Sequence, residues 1–91
     1  MTAGLILDTA KKFITGDRAQ SYGSIHDNAA EVAKRLTLQF GNSHKPSDYA
    51  ITMLEIKMAR LKGDKRDFDT LVDIAGYADL AWQLIEDEGN A

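Results

Sequence analysis

Residues 67 to 86 read DFDTLVDIAGYADLAWQLIE, twenty positions without a broad polar side. A helix advances about 100° per residue, so its faces follow from spacing. Phe68, Leu71, Ala75, Ala78, Trp82 and Ile85 make one broad apolar face, and Ile74, Tyr77, Leu80, Ala81 and Leu84 a second. Asp73 falls between Leu80 and Leu84, and Asp69 lies at the edge near Gly76. A helix apolar on nearly all sides belongs at the centre of a bundle or under another subunit. On that basis Trp82 is a core or subunit-interface residue, and the fold is all-α around this segment.

Upstream, KGDKRD at 62–67 is a short polar turn, with Asp64 or Asp67 as the cap of the helix that follows. Before it, Pro46 announces a helix over about 47–61. Ala50, Ile51, Leu54, Met58 and Leu61 share one side of that helix, and Tyr49, Met53 and Ile56 widen the arc. Lys57 and Arg60 fall inside this apolar arc, whereas Glu55 falls on the opposite side with Asp48, Thr52, Ala59 and Lys62. A buried charge without a partner costs several kcal/mol or more. The natural partners of Lys57 and Arg60 are therefore Asp69 and Asp73, facing them across an antiparallel hairpin. Such a group is either an ion-pair network that fixes helix register or the floor of a site for a charged ligand.

The amino-terminal half supplies two more helices. The first covers about 3–14, opens at Thr2 or Gly4, carries Leu5, Ile6, Leu7, Ala10, Phe13 and Ile14, and stops at a left-handed Gly16. Gly23 reads as a break, Ser24 or Asp27 as an N-cap, and 28–40 as a helix in which Val32, Leu36 and Phe40 recur at helical spacing. GNSHKP at 41–46 is a loop, and EDEGNA at 86–91 a frayed acidic tail. The expected architecture is one domain, residues 1–91, a four-helix bundle-like fold with a central antiparallel hairpin of helices 3 and 4.

The totals limit the function classes. The 91 residues include no cysteine, which excludes disulfides and thiolate metal sites. Eleven basic and 14 acidic residues give a net charge of −3, against direct nucleic-acid binding. The chain shows neither a signal peptide nor an apolar run near the ~20 residues that cross a bilayer, so no membrane partner and a cytoplasmic location are expected. A chain this small gains buried area by forming a homo-oligomer. His26 and His44 lack metal-ligand spacing and are expected in solvent or in local hydrogen bonds. Arg18 and Tyr22, ahead of the second helix, suit a phosphate and a base, or a structural clamp of the loop.

DRAQSYGSIHDN (17–28), MLEIKMARL (53–61) and DTLVDIAGYADLA (69–81) together resemble a small helical domain of unknown function from tailed phages and prophages. The shared pattern is an Arg before Tyr-Gly, then Lys-x-x-Arg, then Asp-x-x-x-Asp-x-x-x-Tyr: Arg18, Tyr22-Gly23, Lys57, Arg60, Asp69, Asp73 and Tyr77. That domain is similar to phage nucleotide-modification-associated domains and, more distantly, to the MazG-type all-α nucleoside triphosphate pyrophosphohydrolases. The resemblance implies nucleotide binding in the cytoplasm of an infected or lysogenic host, dimers or higher oligomers, and cleavage to a monophosphate and pyrophosphate. In a nucleotide-binding protein, Lys57, Arg60 and Arg18 would contact phosphate, Asp69 and Asp73 would hold Mg²⁺ or orient the cations, and Tyr22 and Tyr77 would border the base or sugar. The chain departs from the MazG pattern in having Lys57 and Arg60 where the metal-binding helix carries carboxylates. Its two aspartates are also four residues apart instead of three. The alternative is a non-catalytic phage protein whose acidic groups inhibit a host factor such as a nucleic-acid enzyme or defence complex.

Overall fold

A computed structural model describes residues 2–16 and 19–89, with the backbone alone for 19–24. Four helices follow one another: α1 (Leu5–Thr15), α2 (Ala19–Phe40), α3 (Pro46–Arg60) and α4 (Phe68–Gly89). The described residues contain no strand, and none of their helices is long and apolar enough to cross a membrane.

Local chemistry sets most of the boundaries. Gly4, at φ 82°, precedes α1 in the left-handed region that glycine enters without steric cost. Gly16 closes α1 but is not left-handed, with φ −98° and ψ −139°. Its glycine is required by space: a Cβ there would stand 2.5 Å from the Lys12 carbonyl oxygen. The left-handed cap belongs instead to Gly41, at φ 78°, whose N–H donates to Thr37 O at 2.9 Å and ends α2. Pro46 takes the first position of α3, where its missing N–H costs nothing. The Asp48 carboxylate accepts from Lys45 N at 2.8 Å.

The second helix begins well before the expected 28. It starts at Ala19, so Gly23, Ser24 and Asp27 are interior positions and not a break and a cap. A glycine weakens a helix by only about 1 kcal/mol, which neighbouring turns absorb.

The predicted hairpin is present: α3 pairs most extensively with α4, α1 lies on α4, and α2 lies on α3. Contacts of Asn28 with Tyr49 and of Thr37 with His44 show α2 running antiparallel to α3. The core is built largely of alanine. Ala29, Ala50, Leu80, Ala81 and Leu84 form its centre, flanked by Ile25, Tyr49 and Tyr77. Leu80 is the largest fully buried side chain among the described residues. Small side chains let the helices approach closely but remove little apolar area from water.

Two expected faces are corrected. On α3 the inward residues are Ala50, Met53, Leu54, Lys57 and Leu61, while Ile51, Ile56, Met58 and Arg60 are exposed. On α4 the second face, with Leu80, Ala81 and Leu84, is the buried one. The face read as equally inward leaves Trp82 60% exposed, with Phe68, Ala78 and Ile85 also open. Trp82 is not a core residue of this chain. An apolar arc wider than the surface its neighbours can cover must leave a flank bare.

The acidic tail is also corrected through Glu88. Helix α4 continues to Gly89, and the Glu88 carboxylate accepts from Ser47 N at 2.9 Å and Ser47 Oγ at 2.8 Å. A residue near the end of α4 thus satisfies a free N–H in the first turn of α3, where the helix dipole favours an anion.

Candidate functional site

Helix α3 ends in a basic last turn and α4 begins with an acidic first turn, so the turn end of the hairpin gathers both signs of charge. Each placement suits its helix, because cations favour a carboxyl-terminal end and anions an amino-terminal end. Lys57 is the inward cation. Its Nζ lies 3.1 Å from Asp73 Oδ2, with side-chain exposures of 14% and 44% respectively. A lysine side chain set into the packed face is therefore matched by an aspartate side chain that is nearly half in solvent.

The other two members of the expected quartet do not join this pair. Arg60 and Asp69 are exposed, and neither forms an ion pair within the described residues. On the helical wheel Arg60 lies on the side of Ile56, away from Leu61, and that side faces solvent. The carboxylate that Arg60 influences is Asp67, which the sequence marked only as a cap.

Asp67 Oδ1 accepts from Thr70 N at 3.0 Å and Oδ2 from Thr70 Oγ1 at 2.7 Å. The hydrogen bond from the Thr70 hydroxyl, then that from its amide, lowers the Asp67 pKa below 3.8. Burial opposes the shift, and the Arg60 and Lys57 charges add to it. A carboxylate whose folded-state pKa is depressed contributes stability above its unfolded pKa, lost as pH falls through the folded one. The wild type should therefore be more stable than Asp67→Ala near neutrality, and the gap should narrow below about pH 4. Urea midpoints measured across that range check this; a gap independent of pH would show that ionised Asp67 is not what caps α4.

Tyr77 packs edge-on to Tyr49, with ring centroids 6.5 Å apart, and Asn28 Nδ2 reaches Tyr49 OH at 3.4 Å. This aromatic pair lies one helical turn from Asp73 along α4. Arg18 and the side chain of Tyr22 lie outside the described residues. Asp69 and Asp73, the expected Mg²⁺ ligands, share one side of α4. No group of three or more His, Asp or Glu suited to a metal ion occurs among the described residues. With Asp73 held by Lys57, these donors do not fit a resident Mg²⁺ site, which needs octahedral oxygen coordination.

The two histidines differ. His44 Nδ1 lies 2.7 Å from Asn42 O, the local hydrogen bond expected of a loop histidine. His26 is half-buried, and its Nε2 is sealed from solvent without a hydrogen-bond partner among the described residues. Its side chain contributes to an open cleft of about 310 Å³ with Pro46, Leu84 and Glu88. Sequence offered no sign of that burial, because His26 lay beside the supposed cap Asp27.

Comparison with known proteins supplies the family. The model of a domain of unknown function, DUF6378, matches residues 5–85. The gene 55 protein of Mycobacterium phage L5 is 41% identical over 86 residues, 91% of this chain and 55% of its own length. The gene 55 protein of Mycobacterium phage D29 is 30% identical over 82 residues, 90% of this chain and 54% of its own. The chain thus spans about half the length of these phage relatives. No solved structure matches it. With the family model matching from the first residue of α1 almost to the end of α4, this chain belongs to the DUF6378 family of small helical phage proteins.

Proposed function

We propose that this phage protein binds a nucleotide through its phosphates at the turn end of the α3–α4 hairpin. The observation that carries this is the Lys57–Asp73 pair, a largely buried lysine side chain whose counter-ion is nearly half open to solvent. An incoming phosphate can replace Asp73 at Lys57 and keep the cation neutralised throughout. Arg60, exposed on the next turn, adds a planar donor suited to phosphate oxygens. In this reading Arg18 also contacts phosphate, and Tyr22 and Tyr77 border the base or sugar; of these three, only Tyr77 has a described side chain. Asp69 and the released Asp73 meet Mg²⁺ that arrives with the nucleotide. The finer possibility within this reading is a divergent MazG-like pyrophosphohydrolase, in which nucleotide is cleaved to monophosphate and pyrophosphate.

Thermal unfolding in a panel of canonical and modified nucleotides, with and without Mg²⁺, is the test. Ligand at 100 times its dissociation constant adds about 2.7 kcal/mol of stability, so the melting temperature should rise visibly. Lys57→Met should abolish the rise. Asp73→Asn should retain nucleotide binding without Mg²⁺, since the competing carboxylate is gone. No shift with any nucleotide, or an unchanged shift in Lys57→Met, defeats the proposal, and pyrophosphate release measured on the same panel decides turnover.

The inhibitor alternative has one supporting observation: Asp79, Glu86 and Asp87 are all exposed on the later turns of α4. Charge reversal there should weaken capture of a host enzyme while leaving nucleotide shifts intact.

A further inference from the structure

We infer that a second copy of this chain covers the later part of the exposed stripe of α4, from Ala75 to Ile85. The stripe is regular. Phe68, Ala75 and Trp82 recur every seven residues, and so do Leu71, Ala78 and Ile85. Two interleaved seven-residue repeats form the apolar seam along which helices pair as coiled coils. Helix α1 occupies only one flank, where Leu7 and Ile14 border a groove beside Ala75 and Asp79. The rest is open, with Trp82 60% and Ile85 44% exposed.

The surface area says how much is missing. The chain exposes 6654 Å² at a mass of 10.0 kDa, against about 5,200 Å² for a folded monomer of that mass. The excess of about 1,400 Å² is more than the roughly 800 Å² that each partner contributes to a standard stable interface. The radius of gyration, 14.2 Å, is likewise above the roughly 12 Å of a self-contained domain of this length. An alanine-lined core accounts for the shortfall in burial, because the bulky apolar residues stand outside it.

The order of residue sizes points to self-pairing. Trp82 and Ile85 are large, whereas Ala75 and Ala78, one to two turns earlier, are small. An antiparallel copy related by a two-fold axis near residue 80 sets Trp82 of each chain against Ala78 of the other. It also sets Ile85 of each against Ala75 of the other. Alternating large and small residues fill an interface, and a two-fold contact is satisfied twice by one patch. In this register Asp79 meets Ala81 and Glu86 meets Ile74, so neither carboxylate bordering the stripe faces another; Asp73 and Asp87 come level but lie on the far side of α4 from the stripe. Asp79 is further held by Gln83 Nε2 at 2.7 Å.

Sedimentation of the full chain over micromolar to millimolar concentration, together with intrinsic fluorescence, tests this without any nucleotide, so its outcome is independent of the binding proposal. Trp82 is the single tryptophan. The expected result is a dimer with blue-shifted emission that moves to the red as dilution halves the mass. Trp82→Glu and, separately, Ala78→Glu should give monomers of unchanged helicity; the exposed Ala78 provides a variant that leaves the core intact. A wild type that stays monomeric with water-exposed Trp82 emission overturns the inference and leaves the stripe to a different partner. Association undiminished in Ala78→Glu, or a dimer in which Trp82 emission stays red, overturns it as well.

Discussion

Leu80→Ala is expected to lower the free energy of unfolding by about 3–5 kcal/mol. Leu80 is wholly buried, and its neighbours in the central cluster include Ala29, Ala50 and Ala81. When a leucine is truncated, the cost beyond lost transfer energy depends on how far the surroundings relax into the hole. Alanine side chains have no rotamers with which to reach across, so only Leu84 and the flanking Ile25, Tyr49 and Tyr77 can relax into the hole without a shift of whole helices. That places this site toward the costly end of the range. A domain of this size has roughly 5–14 kcal/mol in total, so one substitution removes a large share. Urea unfolding followed by far-ultraviolet circular dichroism should show a large fall in midpoint. Leu80→Met, nearly equal in volume, should cost under about 1.5 kcal/mol. A small loss for Leu80→Ala would mean that the helices do settle inward and that the alanine contacts are softer than their burial suggests.

Glu88→Ala should be the next most damaging change, at about 2 kcal/mol, from the usual worth of hydrogen bonds to a charged group. Both Glu88 oxygens are occupied by Ser47, one at the amide and one at the hydroxyl, and Ser47 is buried. Removing the carboxylate leaves a buried hydroxyl and a helix-end N–H without their acceptor. For a domain near this size, each kcal/mol moves the melting temperature by about 4–8 °C, so a fall of roughly 10 °C is expected. Glu88→Gln should recover part of it, because an amide oxygen still accepts one hydrogen bond. Ser47→Ala keeps the amide bond to Glu88 and should cost less; if the double variant costs no more than Glu88→Ala alone, the coupling is established. Additive losses would show that the two residues act separately.

The hairpin was legible because its boundary residues act locally. Pro46 opens α3, and Asp67 caps α4 through a residue three positions on. Asp67 needed no knowledge of the fold to be recognised. The limit of α2 was misread because a glycine near a cap-like Ser and Asp has the composition of a break, while packing decides whether the helix continues through it. The Lys57–Asp73 pair was legible from the wheel, whereas Arg60 was not. Both cations fall within one wide apolar arc, but only the part of that arc facing α4 and α2 finds a partner inside the chain. Ile56 and Met58 are apolar and exposed, so hydrophobic character alone could not say which side of Arg60 would be wet. The Ser47–Glu88 contact was invisible for a different reason: its residues are 41 positions apart, and a glutamate in an acidic run has the same composition as a solvated tail.

That contact also has a consequence for the order of folding. Loop-closure entropy makes near contacts cheaper to form than distant ones. Asp67–Thr70 forms within one turn, and Lys57–Asp73 closes next across the short loop. Ser47 and Glu88 meet at the far end of the same hairpin, after α3 and α4 have aligned along their lengths. Loop closure thus predicts a hairpin that closes from its turn, with Glu88 engaging last. Variants at Glu88 should chiefly speed unfolding and leave the refolding rate almost unchanged, whereas damage at the turn should slow the first step.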